Sequence, residues 1–333
     1  YLSIIRPLQT GVITNAVISP GPGGGWNGVS VESNPWNSIA YGGGKYVAVA
    51  SDGTNRVMYS TDGVSWTAAS AAEANDWKSV TYGSGKFVAV CSNGTNRVMY
   101  SSDGVSWTAA SSIQQYSWKS VTFGNGKFVA VSDDGDTRSM YSSDGISWTL
   151  GSGVPTQGWQ SVVYGTDRFV AVANSGDDRA MYSTDGINWS GGNMGKVRLD
   201  ATSVTFGNGK FVAVGDGGTL RALYSTDGAT WTDVSASETQ LVSWNAVTFG
   251  NGRFLAVSSN GSPEVMYSSD AVNWNTASAA SSESWVGVTY GDGKFVAVAN
   301  SGSGNRVMWS FTGVGTTQPI YSNAPSNQTY YAN

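Results

Sequence analysis

The stretch WKSVTYGSGKFVAV at positions 77–90, followed after a polar loop by RVMYSSDGVSW at 97–107, decides the fold. Trp77 to Tyr82 alternates large apolar with polar residues, the two-residue period of a strand with one face buried. Gly83, Ser84 and Gly85 supply the permissive backbone of a tight hairpin. Phe87 to Val90 is a continuous apolar run, expected of a strand covered on both faces. A third strand is expected over Arg97–Ser101 and a fourth, short one from Trp107. The same unit recurs with starts near 36, 77, 118, 159, 201, 244 and 285, its first Trp present at Trp36, Trp77, Trp118, Trp159, Trp244 and Trp285 and replaced by Ala201 in the fifth copy. A unit of this length cannot bury its own apolar face and must stack on its neighbours. Four short strands per unit and seven units predict an all-β, seven-bladed β-propeller of four-stranded antiparallel blades, preceded by an N-terminal arm.

The predicted organisation is an arm or linker over 1–35, the propeller over 36–317 and a tail over 318–333. The seventh copy keeps its first three strands, but Phe311, Thr312 and Gly313 stand where a turn and fourth strand should follow. Either Val12–Ile18 or a strand near Trp26–Val31 is the candidate to complete it and remove an exposed edge.

Composition limits the function. Of 333 residues 12% are charged, the net charge is −5 and no Lys or Arg run occurs, so nucleic acid is not an expected partner. No segment approaches the roughly 20 apolar residues that span a bilayer, so membrane insertion is not expected. Histidine is absent and Cys91 is the only cysteine. These counts exclude a His-ligated metal, a Ser/His or Cys/His nucleophile pair and an internal disulfide, and no metal or cofactor is expected. The Gly-, Ser-, Thr- and Asn-rich, charge-poor composition favours an extracellular, virion or cell-surface location.

Between the third and fourth strands lies S-[ST]-D-G-x-x-W, with Asp62, Asp103, Asp144, Asp185 and Asp227 and a variant in which Ala271 follows Asp270. The matching tryptophans are Trp66, Trp107, Trp148, Trp189, Trp231 and Trp274. The motif resembles the Asp-box of the bacterial neuraminidase repeat, with one residue fewer between Asp and Gly. Its expected role is structural, the carboxylate accepting from the turn's own amides while the Trp packs beneath. Repeated cations, such as Lys45 and Arg168 in the first hairpin and Arg56 and Arg138 on the third strand, are expected to cover aromatic rings or to pair with these aspartates. A ring of equivalent ligand sites between blades is the alternative.

A sialidase would need convergent arginines, a Tyr–Glu nucleophile and an acid/base Asp. Five glutamates and arginines that follow the repeat do not supply them, and no paired carboxylates at glycosidase spacing are identifiable. The protein is therefore not expected to be an enzyme. The phrases GNGKFVAV (124–131) and YSTDGVSWT (59–67) are similar to propeller segments of phage and viral structural proteins and of bacterial surface proteins. That resemblance implies a non-catalytic, surface-displayed module: a virion fibre, tail or capsid-decoration protein for assembly or host attachment, its arm binding other virion or surface subunits. The alternative is a free multivalent lectin for cell-surface glycans.

A special site is expected where copies depart from the repeat, on the face carrying the loops between second and third strands and between blades. Candidate ligand-binding residues are Met194, Lys196, Arg198 and Asp200 in the long linker after the fourth blade, and the loop acids Asp133, Asp136, Asp177 and Asp178. The Asp133–Asp134–Asp136 cluster lacks the length and bidentate Glu of an EF-hand loop.

Overall fold

The computed structural model describes residues 25–110, 114–177, 179–194, 199–217, 221–234, 242–302 and 304–311. Among them 28 strands form seven four-stranded antiparallel sheets, and there is no helix. The first complete blade is β2 (Trp36–Gly42), β3 (Lys45–Ala50), β4 (Val57–Ser60) and β5 (Thr67–Ala69), paired in sequence order. Strands β6–β9 (77–110), β10–β13 (118–150), β14–β17 (159–192), β18–β21 (200–233) and β22–β25 (244–277) repeat the plan. The last blade combines β26 (Ser284–Gly291), β27 (Lys294–Ser301) and β28 (Val307–Phe311) with β1 (Asn27–Val29), whose residues pair antiparallel with Val307–Trp309. Of the two segments considered for closing the ring, Val12–Ile18 lies outside the described residues, and the neighbourhood of Trp26 supplies the strand.

Blade-to-blade packing accounts for the most repeated residues. Each opening Trp is fully buried, and the indole N–H of Trp36, Trp77, Trp118, Trp159 and Trp285 donates to a carbonyl four residues earlier, as from Trp36 to Glu32 at 3.0 Å and from Trp77 to Glu73 at 3.1 Å. The second strands are buried along their length, matching their continuous apolar sequence. Gly83, ending the second blade's inner strand, has no room for a side chain: a Cβ there would stand 2.0 Å from the Phe123 ring of the next blade. Gly291 meets Tyr41 in the same way and continues the packing across the closure. Tyr41, Tyr82 and Phe123 each tilt onto an aromatic of their own second strand, with centroids 4.6–4.8 Å apart.

The Ser-x-Asp-Gly turns are local devices. Asp103 Oδ1 accepts from the amides of Val105 and Ser106, each at 2.8 Å, and from the Ser101 hydroxyl at 2.9 Å. The Ser106 and Val105 amides hold the Asp103 carboxyl down to about 2. Asp144 reaches the same value through Ser147 and Ile146. Burial pushes Asp62 and Asp185 upward, but amide bonds outweigh it and bring both to about 2. Ala271 takes the place of the turn glycine with φ 67°, a left-handed conformation an alanine tolerates only under constraint.

The third-strand arginines do something other than cover rings or pair with the turn aspartates. Arg138 donates from Nε to Gly135 O at 2.9 Å and from Nη1 to Asp133 O at 2.9 Å and Gln157 O at 2.6 Å, tying its own loop to the entry of the next blade. Arg56 reaches Asn75 O in the same way, and Arg306 reaches Asn34 O at 2.9 Å across 272 residues, clamping the last blade to the first. A guanidinium with five fixed donors suits backbone carbonyls left over by a loop. The hairpin cations behave closer to expectation. Lys45, Arg168 and Lys210 lie 6.0, 5.7 and 4.9 Å from the ring centroids of Tyr59, Tyr182 and Tyr224, and each also donates to the backbone carbonyl of the next blade's turn aspartate.

Candidate functional site at the axial mouth

The inner strands share one irregularity. In every blade the register of the first ladder shifts just after the opening residue, so that one residue is left out of the pairing. A bulge of this kind frees a residue from the ladder and re-aims its side chain. The bulged positions are Asn37, Lys78, Lys119, Gln160, Thr202, Asn245 and Val286, and all seven line one cavity of about 200 Å³ on the ring axis. The next position holds the ring together: Ser38 Oγ accepts from Val80 N at 3.1 Å, and Ser79, Ser120, Ser161 and Ser203 do the same for the blades that follow.

Strand ends locate the mouth. Asn34 and Pro35, just before β2, hydrogen-bond with Asn55 and Ser51 of the loop between β3 and β4, so the bulge lies towards the face that carries these loops and the inter-blade linkers.

The seven bulged residues are chemically unequal. Asn37 donates its amide to Trp77 O at 2.9 Å, Asn245 to Trp285 O at 3.3 Å and Gln160 to Gly158 O at 3.2 Å, while the Thr202 hydroxyl bonds Trp244 O at 2.7 Å. Each of the three amides has one N–H engaged in this way and keeps its other N–H and its side-chain carbonyl oxygen. Lys78 and Lys119, on adjacent blades, are its only cationic lining residues. Each is held from the rim by a carboxylate, Lys78 by Asp76 and Lys119 by Asp133, both at 2.9 Å and with all four side chains 22–30% exposed. Asp76 is fixed in turn by the Ser92 hydroxyl at 2.8 Å. Each ammonium spends one of three donors on its aspartate and is positioned with the rest. Among the described residues no cluster of His, Cys, Asp and Glu could hold a metal ion.

The residues singled out from the sequence scatter. Asp133 belongs to this mouth through Lys119. Met194 is 4% exposed and packs with Leu199 beside Ala201, filling the volume that the missing Trp leaves, so it is a core residue and offers nothing to a ligand. Asp200 pairs with Arg179, which also donates to Leu199 O at 3.0 Å, and so serves the inter-blade clamp. Asp136 and Asp177 are exposed on loops. Lys196, Arg198 and Asp178 lie outside the described residues. The turn pairs Asp62/Trp66, Asp103/Trp107, Asp144/Trp148, Asp185/Trp189, Asp227/Trp231 and Asp270/Trp274 sit between third and fourth strands, spread over six blades. The lysines and amides of the bulge were missed, although a signal existed: the second letter of W-x-S-V is the most variable of the four, with five residue types in seven copies.

A larger cleft of about 560 Å³ opens between the first and second blades against Ala68–Ala72 and Trp107. It carries no charged side chain.

No family model matches the chain, and no curated protein matches it. Solved structures do. Virginiamycin B lyase from Staphylococcus aureus, in a catalytically inactive histidine-to-alanine form with quinupristin, shares 11% identity at a TM-score of 0.74, covering 87% of this chain and 99% of its own. A streptogramin B lyase gives 12% at 0.70, covering 85% and 96%. YCF48 bound to D1 peptide gives 13% at 0.65, covering 87% and 95%. Likeness at these identities is likeness of fold. It corrects two expectations all the same. The virion, lectin and sialidase readings give way, because the similar rings named above are lyases and YCF48 and none of them is an Asp-box or phage protein. The expectation that the protein is not an enzyme falls too, since this ring is one on which lyases are built. That expectation drew on the repetition of the blades, whereas bulged residues at one height converge on the axis however regular the blades are.

Proposed function

We propose that this chain is a ligand-binding propeller that receives a small polar ligand at the mouth of its axial cavity. One observation carries the reading: seven bulges aim the variable residue of each inner strand into one shared space and set the only two cations there side by side. A polar cavity with a few convergent charged groups at the centre of a rigid scaffold is the arrangement expected of a binding site. Support comes also from similar rings that hold quinupristin and D1 peptide. Any reaction at this mouth would draw on the amines of Lys78 and Lys119 and the carboxylates of Asp76 and Asp133, because the chain has no histidine.

A thermal-shift screen of small polar metabolites against the wild type and a K78M/K119M variant tests the reading. Compounds that bind at about 100 times their Kd stabilise by about 2.7 kcal/mol. They should raise the melting temperature of the wild type and not of the variant. Stabilising compounds that act equally on both would place binding elsewhere.

A further inference from the structure

The mouth has a polarity that specifies its ligand. Resting on the reading of this mouth as the binding site, we propose that the ligand is a short hydroxy- or amino-carboxylate, its carboxylate between Lys78 and Lys119 and its hydroxyl or amine at Asn245.

In a ring of seven blades, the direction midway between the second and third blades points at the sixth across the axis. The first two of these carry Lys78 and Lys119, and the sixth carries Asn245. The lysines are donors only, and two of them on adjacent inner strands suit the two oxygens of one carboxylate. Their rim partners Asp76 and Asp133 hold them by one donor each, which orients the ammonium groups without occupying them. Asn245 has committed one of its two amide N–H donors to Trp285 O, and its side-chain carbonyl oxygen is left as an acceptor beside the second N–H. An acceptor opposite a pair of cations selects a molecule that is anionic at one end and carries an O–H or N–H at the other. Val286, the bulged residue of the seventh blade, flanks Asn245 with an apolar surface suited to a methylene chain. The cavity, about 200 Å³, is of the order of the roughly 150 Å³ that takes one benzene-sized molecule, which suits a short acid of about four carbons.

Three probes of similar size separate the contributions: 4-hydroxybutyrate has both groups, butyrate only the carboxylate and butane-1,4-diol only hydroxyls. Calorimetric titration of the full chain should rank 4-hydroxybutyrate about tenfold above butyrate, the worth of one hydrogen bond, with the diol undetectable. K78Q/K119Q should weaken both carboxylates by about tenfold or more. N245L should bring 4-hydroxybutyrate down to the level of butyrate and leave butyrate unchanged, while T67A, an exposed position on the outermost strand of the first blade, should preserve the preference. Bulged positions stand outside the ladder, and a urea titration of each variant confirms that it is folded. Loss of carboxylate binding in K78Q/K119Q with the hydroxyl preference intact in N245L would sink the ligand assignment and keep the mouth. Tighter binding of the diol than of butyrate would do the same. Equal binding of the probes by wild type and both lysine and asparagine variants would sink the mouth itself, and failure of 4-hydroxybutyrate to bind at up to about 10 mM would overturn the inference.

Discussion

Replacing Trp26 by alanine tests how the ring is closed. Trp26 immediately precedes β1, is 8% exposed and packs with Trp285, Ala299 and Met308 in the core of the last blade. A buried Trp removes about 200 Å² from water, which at about 25 cal/mol per Å² contributes about 5 kcal/mol. Its indole N–H is buried without a partner, an opposing cost of about 1–3 kcal/mol. The balance of about 2–4 kcal/mol agrees with the lower end of measured Trp-to-Ala losses, about 3–5 kcal/mol. Urea unfolding followed by tryptophan fluorescence should show W26A destabilised by that amount. W26F keeps a ring and removes the orphaned donor, so it should lose less than half as much. Loosening β1 also bares β28 as an edge strand, and W26A should self-associate at high protein concentration where the wild type does not. A W26A protein within about 0.5 kcal/mol of wild type, with no change in association, would refute the closure as the element that completes the ring.

Three further outcomes are expected. The carboxyls of Asp103 and Asp144 sit at about 2, below their unfolded value, so the stability they contribute is present above pH ~4 and is lost as pH falls from there towards 2; the urea midpoint should be flat from pH 8 to 5 and fall below 4, and D103N/D144N should flatten that fall. Arg138 bonds the next blade's Gln157 carbonyl whereas Arg97 bonds only its own loop, at Gly94 and Ser92, so R138Q should lower the melting temperature more than R97Q, by the worth of one charged hydrogen bond, about 1.5–3 kcal/mol. Met194→Ala should cost about 2–5 kcal/mol in urea unfolding, as a core methionine does, and a loss under about 0.5 kcal/mol would return Met194 to the surface.

Most of the architecture was legible because repetition averages out local ambiguity. A strand pattern such as Trp77–Tyr82 is weak evidence once and strong evidence seven times. The turn aspartates were readable for the same reason, since their partners are the next few residues of the chain. Legibility failed wherever a residue's role is set by another blade. Arg138 meets a carbonyl 19 residues on, which no local pattern announces. Met194 looked like a departure from the repeat with a function, whereas the space it fills was emptied by a different departure, the loss of Trp at Ala201. The lysines of the mouth were hidden because period-two reading counts Lys78 as an ordinary outward residue, and only the bulge turns it to the axis.

That bulge separates two kinds of information in one sequence. A residue in the ladder is answerable to its cross-strand neighbour, its sheet and the adjoining blade, so its identity is constrained by folding. The bulged residue is released from the ladder and answers to the lumen and, through one polar bond at most positions, to the rim or the next blade's opening Trp. Read around the ring, the order Asn, Lys, Lys, Gln, Thr, Asn, Val is thus a seven-letter word that can be rewritten one letter at a time while the frame spelling it stays the same. Duplication of a blade copies a letter along with the frame, and point substitution then edits it. A repeat protein built in this way can acquire a new specificity without first acquiring a new fold.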